Sequence, residues 1–138
     1  MGAPPHLLVV EDNPADCRLL EHAFEEAEFT TRLSLVGDGI EALRWLHDRP
    51  DDPPDLVVLD LNLPKMDGRE LLAELRGDPR TSEIPVIVMS SSHYDRDLEV
   101  CRRYAVRGYV IKPGGFSEFV AAAKRIAQLC DECLRATN

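Results

Sequence analysis

The chain reads as an α/β fold of five strand-helix units around a parallel sheet, and three features of the sequence predict it. Short apolar, β-favouring runs alternate with stretches of helical periodicity five times over 138 residues, a length that suits one domain with a proper core. The run Leu56-Val57-Val58-Leu59 is unbroken by any polar residue, as expected of a strand covered on both faces. Four of the five runs end directly at a polar residue, Glu11, Asp60, Ser90 or Lys112, and strands alternating with helices imply right-handed crossovers with helices on both sheet faces. The commonest compact solution for five such units is the flavodoxin-like (βα)5 three-layer sandwich, strand order 2-1-3-4-5, in which the first and third strands are neighbours where the winding reverses.

The first strand runs from Leu7 to Val10 and ends in Glu11 and Asp12. Asn13-Pro14 then supplies a helix cap and a first-turn proline ahead of Leu19, Leu20, Ala23, Phe24 and Ala27 at helical spacing. Thr31 to Val36 alternates apolar and polar residues as a half-buried second strand does, and Gly37-Asp38-Gly39 turns it into a helix carrying Ile40, Leu43 and Leu46. The third strand, Leu56 to Leu59, stops at Asp60 and should be central; the third helix starts near Asp67-Gly68 with Leu71, Leu72 and Leu75 inward. Val86 to Met89 forms the fourth strand, ending at Ser90, and Asp95 to Tyr104 the fourth helix. Tyr109 to Ile111 is a short fifth strand ending at Lys112-Pro113, and the last helix runs from Phe116 to about Arg135 with Phe119, Val120, Ala123, Ile126 and Ala127 on one face. No internal repeat or linker interrupts this order, so residues 1–138 read as one domain with a core over about 6–127 and no output domain.

Apolar residues at 44% and charged residues at 30% set the chain apart from disordered sequences. Twenty-five Asp and Glu against sixteen Lys and Arg leave a net charge of −9, which opposes docking on DNA, RNA or an anionic membrane. No apolar run approaches the roughly 20 residues that span a bilayer, and the start MGAPPH lacks a signal peptide's basic and apolar regions, so a cytoplasmic location is expected. Cys17, Cys101, Cys130 and Cys133 fall on predicted helices; the Cys130-Cys133 pair ends a helix, where the dipole opposes thiolate, and reads as packing rather than redox chemistry or zinc binding.

The residues with chemical potential all stand at strand C-termini: Glu11 and Asp12, Asp60, Ser90, and Lys112. In the predicted strand order they gather on one sheet edge. Three converging carboxylates repel one another and favour a bound divalent cation, and oxygen ligands with room for water suit Mg²⁺, with Mn²⁺ able to substitute. Lys112 adds a positive charge and Ser90 a hydroxyl, and with a metal these would neutralise the equatorial oxygens of a phosphoryl group. With Asp60 as nucleophile the product is a labile acyl phosphate, a mark suited to signalling.

The segments VVEDNPAD, PDLVVLDLNLPKMDG, VIVMSSS and YVIKP resemble the receiver domain of two-component response regulators over about residues 6 to 127, and the thirty positions from Asp60 to Ser90 and twenty-two from Ser90 to Lys112 match that family's spacing. The resemblance implies that Asp60 accepts a phosphoryl group from a phosphohistidine on a sensor histidine kinase, without enzymatic turnover beyond self-catalysed acceptance and loss. It implies metal ligation by Asp12, Asp60 and the Asn62 backbone carbonyl, with Glu11 acting through water, and contacts from Lys112 and Ser90 to the phosphoryl group. Tyr109 matches the family's aromatic switch, coupled to Ser90, and the bond to Pro113 would be cis. Asn62 and Ser92, two positions past Asp60 and Ser90, flank the path of attacking water and would tune the phosphoryl lifetime. The wording EDNPAD and DLNLPKMDGRE looks most like stand-alone receivers that partner phytochrome-type histidine kinases.

Two departures stand out: Ser91 where a small Ala or Gly is usual, which would narrow phosphate access, and Gly114-Gly115, which would loosen the start of the last helix. That helix runs past the usual end with Leu129, Cys130, Cys133 and Leu134, a tail that needs cover; a homodimer across the fourth helix, fifth strand and fifth helix would provide it. Signalling would then pass to a downstream protein or phosphotransfer domain. Taken singly, the Glu11-Asp12 pair also reads as a helix cap, Ser90 as an ordinary strand-end serine and Tyr109 as a plain edge-strand aromatic. Haloacid-dehalogenase-type phosphatases also use a strand-end Asp with Mg²⁺, but need a second Asp where this chain has Asn62. A pseudo-receiver that only binds protein is weakened by the presence of every acceptor-site residue type.

Overall fold

Strict strand-helix alternation carries through the computed structural model, which describes residues 3–90, 95–112 and 114–136. The elements are β1 (His6–Val10), α1 (Pro14–Glu26), β2 (Arg32–Val36), α2 (Gly39–His47), β3 (Leu56–Leu59), α3 (Gly68–Gly77), β4 (Val86–Ser90), α4 (Asp95–Arg103), β5 (Gly108–Ile111) and α5 (Phe116–Ala136). The five strands form one parallel sheet in the order β2-β1-β3-β4-β5.

Successive strand residues point to opposite faces, and this alternation divides the core in two. Leu7, Val9, Leu56, Val58, Ile87, Met89 and Val110 pack beneath α1 and α5, against Leu20, Phe24, Phe119 and Ile126. Leu8, Val10, Val57, Leu59, Val86 and Val88 pack on the other face against Ala42 and Leu46 of α2, Leu71, Leu72 and Leu75 of α3 and Cys101 of α4. Side-chain caps start three of the helices on the sheet's C-terminal edge. The Asn13 side chain accepts from the Ala15 N–H, Asp38 from the Glu41 N–H and Asp67 from the Arg69 N–H.

The ladder runs on past the strand ends, which fixes the rim. The Glu11 N–H donates to the Val36 carbonyl (3.0 Å), Asp60 N–H to Val10 (3.1 Å) and Lys112 N–H to Ser90 (2.8 Å). Gly68 lets α3 begin directly on the chain leaving β3: a Cβ there would lie 2.6 Å from Leu61 Cα and 2.7 Å from the Asp60 carbonyl oxygen.

Two expectations need correction. Ile40 is exposed (43%), while the expected Leu46 is buried together with Ala42 and Leu43 packs partly buried beside them, so only Ile40 leaves the inward stripe of α2. The tail of α5 needs no second subunit to cover it: Leu129, Cys130 and Cys133 are already buried within the chain, with Leu129 seated over Gly108 of β5, where a Cβ would lie 2.5 Å from its Cδ1. All four cysteines are buried and unpaired, and burial pushes the thiols of Cys17, Cys101 and Cys130 up to about 11. Among the described residues no helix is long and apolar enough to cross a membrane.

Candidate acceptor and metal site

At the junction of β1 and α1, Glu11 leaves the strand buried, and its Oε2 accepts the Asn13 N–H at 3.0 Å. Asp12 is exposed beside it. One strand over, Asp60 follows β3 with 6% of its surface exposed, and its Oδ1 accepts the Asn62 N–H at 2.9 Å. Glu11, Asp12 and Asp60 each offer a carboxylate oxygen, all within 4.8 Å of one another. Oxygen donors without histidine or thiolate, one of them open to water, fit a hard divalent cation such as Mg²⁺ or Mn²⁺.

Lys112 reaches this cluster from the end of β5. Its Nζ lies 2.5 Å from Glu11 Oε1, 2.9 Å from Asp16 Oδ2 and 3.0 Å from Asp60 Oδ2. Burial works against the ammonium, but its hydrogen bonds to Glu11, Asp16 and Asp60 outweigh that and hold its pKa above that of a free lysine. Burial raises the Glu11 pKa, and the Lys112 contact opposes the rise. The pocket therefore holds several carboxylate charges and one fixed cation at the edge of a low-dielectric core.

Ser90 is fully buried at the end of β4, and its Oγ accepts weakly from Asn62 Nδ2 at 3.4 Å. Behind it, Tyr109 packs against the layer of α2, α3 and α4 with its hydroxyl buried and without a hydrogen bond of good geometry among the described residues. Burial raises the Tyr109 pKa, while the neighbouring Ser90 hydroxyl acts in the opposite sense.

The residues expected to form the site therefore meet: Glu11, Asp12, Asp60 and Lys112 in direct proximity, Asn62 and Ser90 adjoining them, and Tyr109 behind. Ser91, Ser92 and Pro113 lie outside the described residues. At the Gly114-Gly115 step the Gly114 N–H donates to Glu118 Oε2 (3.1 Å) and the Phe119 N–H to the Gly115 carbonyl (3.0 Å).

Sequence reasoning missed two features. Asp16 joins Lys112 from the first turn of α1, and the signal was available: an acid just past Asn13-Pro14, on the edge that carries the other acids. Arg69 at the start of α3 pairs at 2.5 Å with Asp97 of α4, whose side chain is 3% exposed. These two are 28 residues apart with no pattern linking them, so only the packing of α3 and α4 reveals the pair.

The profile of the response regulator receiver domain matches residues 7–124. Response regulator Rcp1 of Synechocystis sp. is 36% identical over 113 residues, covering 79% of this chain and 77% of that protein. The probable methanogenesis regulatory protein FilR2 of Methanothrix harundinacea is 38% identical over 125 residues, covering 88% and 81%. Among solved structures, the phosphorylated cyanobacterial phytochrome response regulator RcpA superimposes with a TM-score of 0.83 at 37% identity, covering 91% of this chain and 93% of that one. The Mn²⁺-bound form of Rcp1 gives 0.80 at 33% identity, covering 89% and 91%.

Proposed function

Because the chain belongs to the response regulator receiver family, we propose that it is a stand-alone response regulator whose Asp60 accepts a phosphoryl group from a sensor histidine kinase. The observation that carries this reading is the Lys112 ammonium at 3.0 Å from Asp60, beside three clustered carboxylates at the strand ends. The Asp60 carboxylate attacks phosphorus, a new O–P bond forms, and the P–N bond to the donor imidazole breaks as that ring leaves. Asp12, Asp60 and the Asn62 backbone carbonyl would hold Mg²⁺ directly, with Glu11 acting through water; the ion would neutralise charge on the transferring oxygens. Lys112 supplies a second positive charge there, and Ser90 a hydroxyl donor. The chain then acts as acceptor and self-dephosphorylating switch, without turnover of a separate substrate. Acetyl phosphate with Mg²⁺ should add one phosphoryl mass to wild type and none to Asp60→Asn, and chelation of the metal should abolish the gain. Equal gain in both proteins would refute the assignment.

A phytochrome-type kinase is the partner class we favour, supported by the likeness to the phytochrome response regulator RcpA. Phosphorylation would draw Ser90 toward the phosphoryl group and change the space available to Tyr109, altering the surface of α4, β5 and α5. That surface carries exposed Leu98 and Ile111, at 38% and 57%, and these support a homodimer there in place of the α5 tail. A mass independent of concentration, with and without beryllofluoride as phosphate mimic, would rule the dimer out. The net charge of −9 supports a protein or phosphotransfer domain, rather than nucleic acid or membrane, as the next contact, in the cytoplasm.

A further inference from the structure

The Lys112 ammonium has three N–H bonds and three carboxylate acceptors, so its hydrogen-bonding capacity is filled. Two of those acceptors have a second task. Glu11 and Asp60 belong to the oxygen cluster that fits a divalent cation, and Asp60 is also the proposed nucleophile. Asp16 stands outside that cluster, so Lys112 is the partner its carboxylate serves. We infer that Asp16 is a positioning residue of the acceptor site: its carboxylate anchors the Lys112 ammonium independently of the metal-binding carboxylates and so aims it at the phosphoryl group on Asp60. This rests on the phosphoacceptor reading above and deepens it.

The anchor is stiff where the lysine is not. Lys112 starts from an edge strand two positions from β3, and strands lie about 4.8 Å apart, so its flexible four-carbon stem must stretch across the rim to reach Asp60. A single contact at the tip would leave that stem many rotamers. Asp16 sits in the first turn of α1, where the Asn13 side chain caps the helix. The next residue, Cys17, is buried, with its Sγ 3.8 Å from the Glu11 carbonyl, and α1 is packed through Leu20 and Phe24. The Asp16 side chain is itself only 22% exposed, which limits competition from water. When Asp60 becomes an acyl phosphate its charge passes to the phosphoryl oxygens, and Asp16 remains as the unchanged partner of the ammonium.

The test compares wild type, Asp16→Asn, Asp16→Glu, Lys112→Met and the Asp16→Asn/Lys112→Met double variant, with acetyl phosphate as donor across a Mg²⁺ titration. Misdirecting a reacting-centre group costs roughly tenfold or more in rate, so Asp16→Asn should lower the maximal loading rate about tenfold while the half-saturating Mg²⁺ moves less than about threefold. Asp16→Glu should recover part of the loss, and Asp16→Asn should add nothing in the Lys112→Met background. By ¹⁵N NMR, the Lys112 ammonium resonance should be protected from exchange in wild type and broadened in Asp16→Asn. A loading rate within twofold of wild type, a defect confined to Mg²⁺ affinity, or the same loss without Lys112 would each overturn the inference. Absence of loading in wild type would overturn the acceptor reading instead, and the NMR comparison would still decide the Asp16-Lys112 contact.

Discussion

Asp60 differs from an ordinary surface aspartate in what its two oxygens touch: Oδ1 takes the Asn62 N–H and Oδ2 the Lys112 ammonium, on a residue that is 6% exposed. The backbone N–H and the charged partner hold the carboxylate in one orientation, the preorganisation that the proposed nucleophile needs. The Asn62 side chain projects toward Ser90, and on the proposed reading it flanks the path of a hydrolytic water. Asn62→Lys is therefore expected to change the rate of phosphoryl loss several-fold while loading changes less, as followed by intact mass after removal of the donor; identical lifetimes would contradict this role. At this scale the chemistry was legible wherever a residue ended a strand, because a strand end in a parallel sheet has a known edge. Asp16 was not singled out, because a first-turn acid is usually read as a favourable partner for the helix dipole and nothing more.

Among the elements, the start of α3 bears most directly on the site. The helix can begin against the Asp60-Leu61 backbone only because residue 68 has no Cβ, and the clash in a substituted chain would be with main-chain atoms that cannot swing aside. Gly68→Ala should cost about 1–3 kcal/mol of stability and displace the Asp60 loop, lowering loading as well. Chemical denaturation together with loading rates would check both, and an unchanged rate would show that the loop is insulated from α3. The sequence motif Met66-Asp67-Gly68 was legible as a turn and helix start, which is how Asp67 acts when it caps α3. The role of α4 was not. Its tie to α3 through Arg69 and Asp97 joins residues whose spacing carries no periodicity, and the buried Nε of Arg69 and Oδ2 of Asp97 lack partners among the described residues. Cover for the α5 tail was misread for a related reason: helical periodicity shows which residues form a stripe, but Leu129 is covered by a glycine on β5 that sequence alone does not place beneath it.

For the whole molecule, the topology was legible because β-favouring runs, four of them apolar and the second alternating, are each followed by a helical stretch, and the strand order then followed from the commonest way to wind five such units. The N-terminal end of the sheet, opposite the acceptor site, carries a separate device for stability. His6 is buried; its Nδ1 accepts from Arg32 Nη2 at 2.6 Å, which leaves Nε2–H to donate to Ser34 Oγ at 2.7 Å, and its ring meets Trp45 edge-on. Burial, aided by Arg32, lowers its pKa below 6.5. In the unfolded chain the imidazole protonates first on acidification, so the unfolded state binds more protons in that window. Stability should therefore fall as the pH drops through about 6.5 toward the lower folded value, and remain level with respect to this group above it. Denaturant midpoints across that range should show the slope in wild type and its loss in His6→Gln, and a parallel slope in both would assign it to other groups.

The central claim, that this site makes an acyl phosphate at one carboxylate, is tested most directly by chemical trapping. Protein loaded from acetyl phosphate and Mg²⁺ is reduced with borohydride, which converts an aspartyl phosphate to homoserine, and the peptides are mapped by mass. Homoserine at position 60 and at no other carboxylate is the predicted result. Trapping at Asp12 or Glu11, or phosphate retained on a hydroxyl that borohydride leaves untouched, would contradict it.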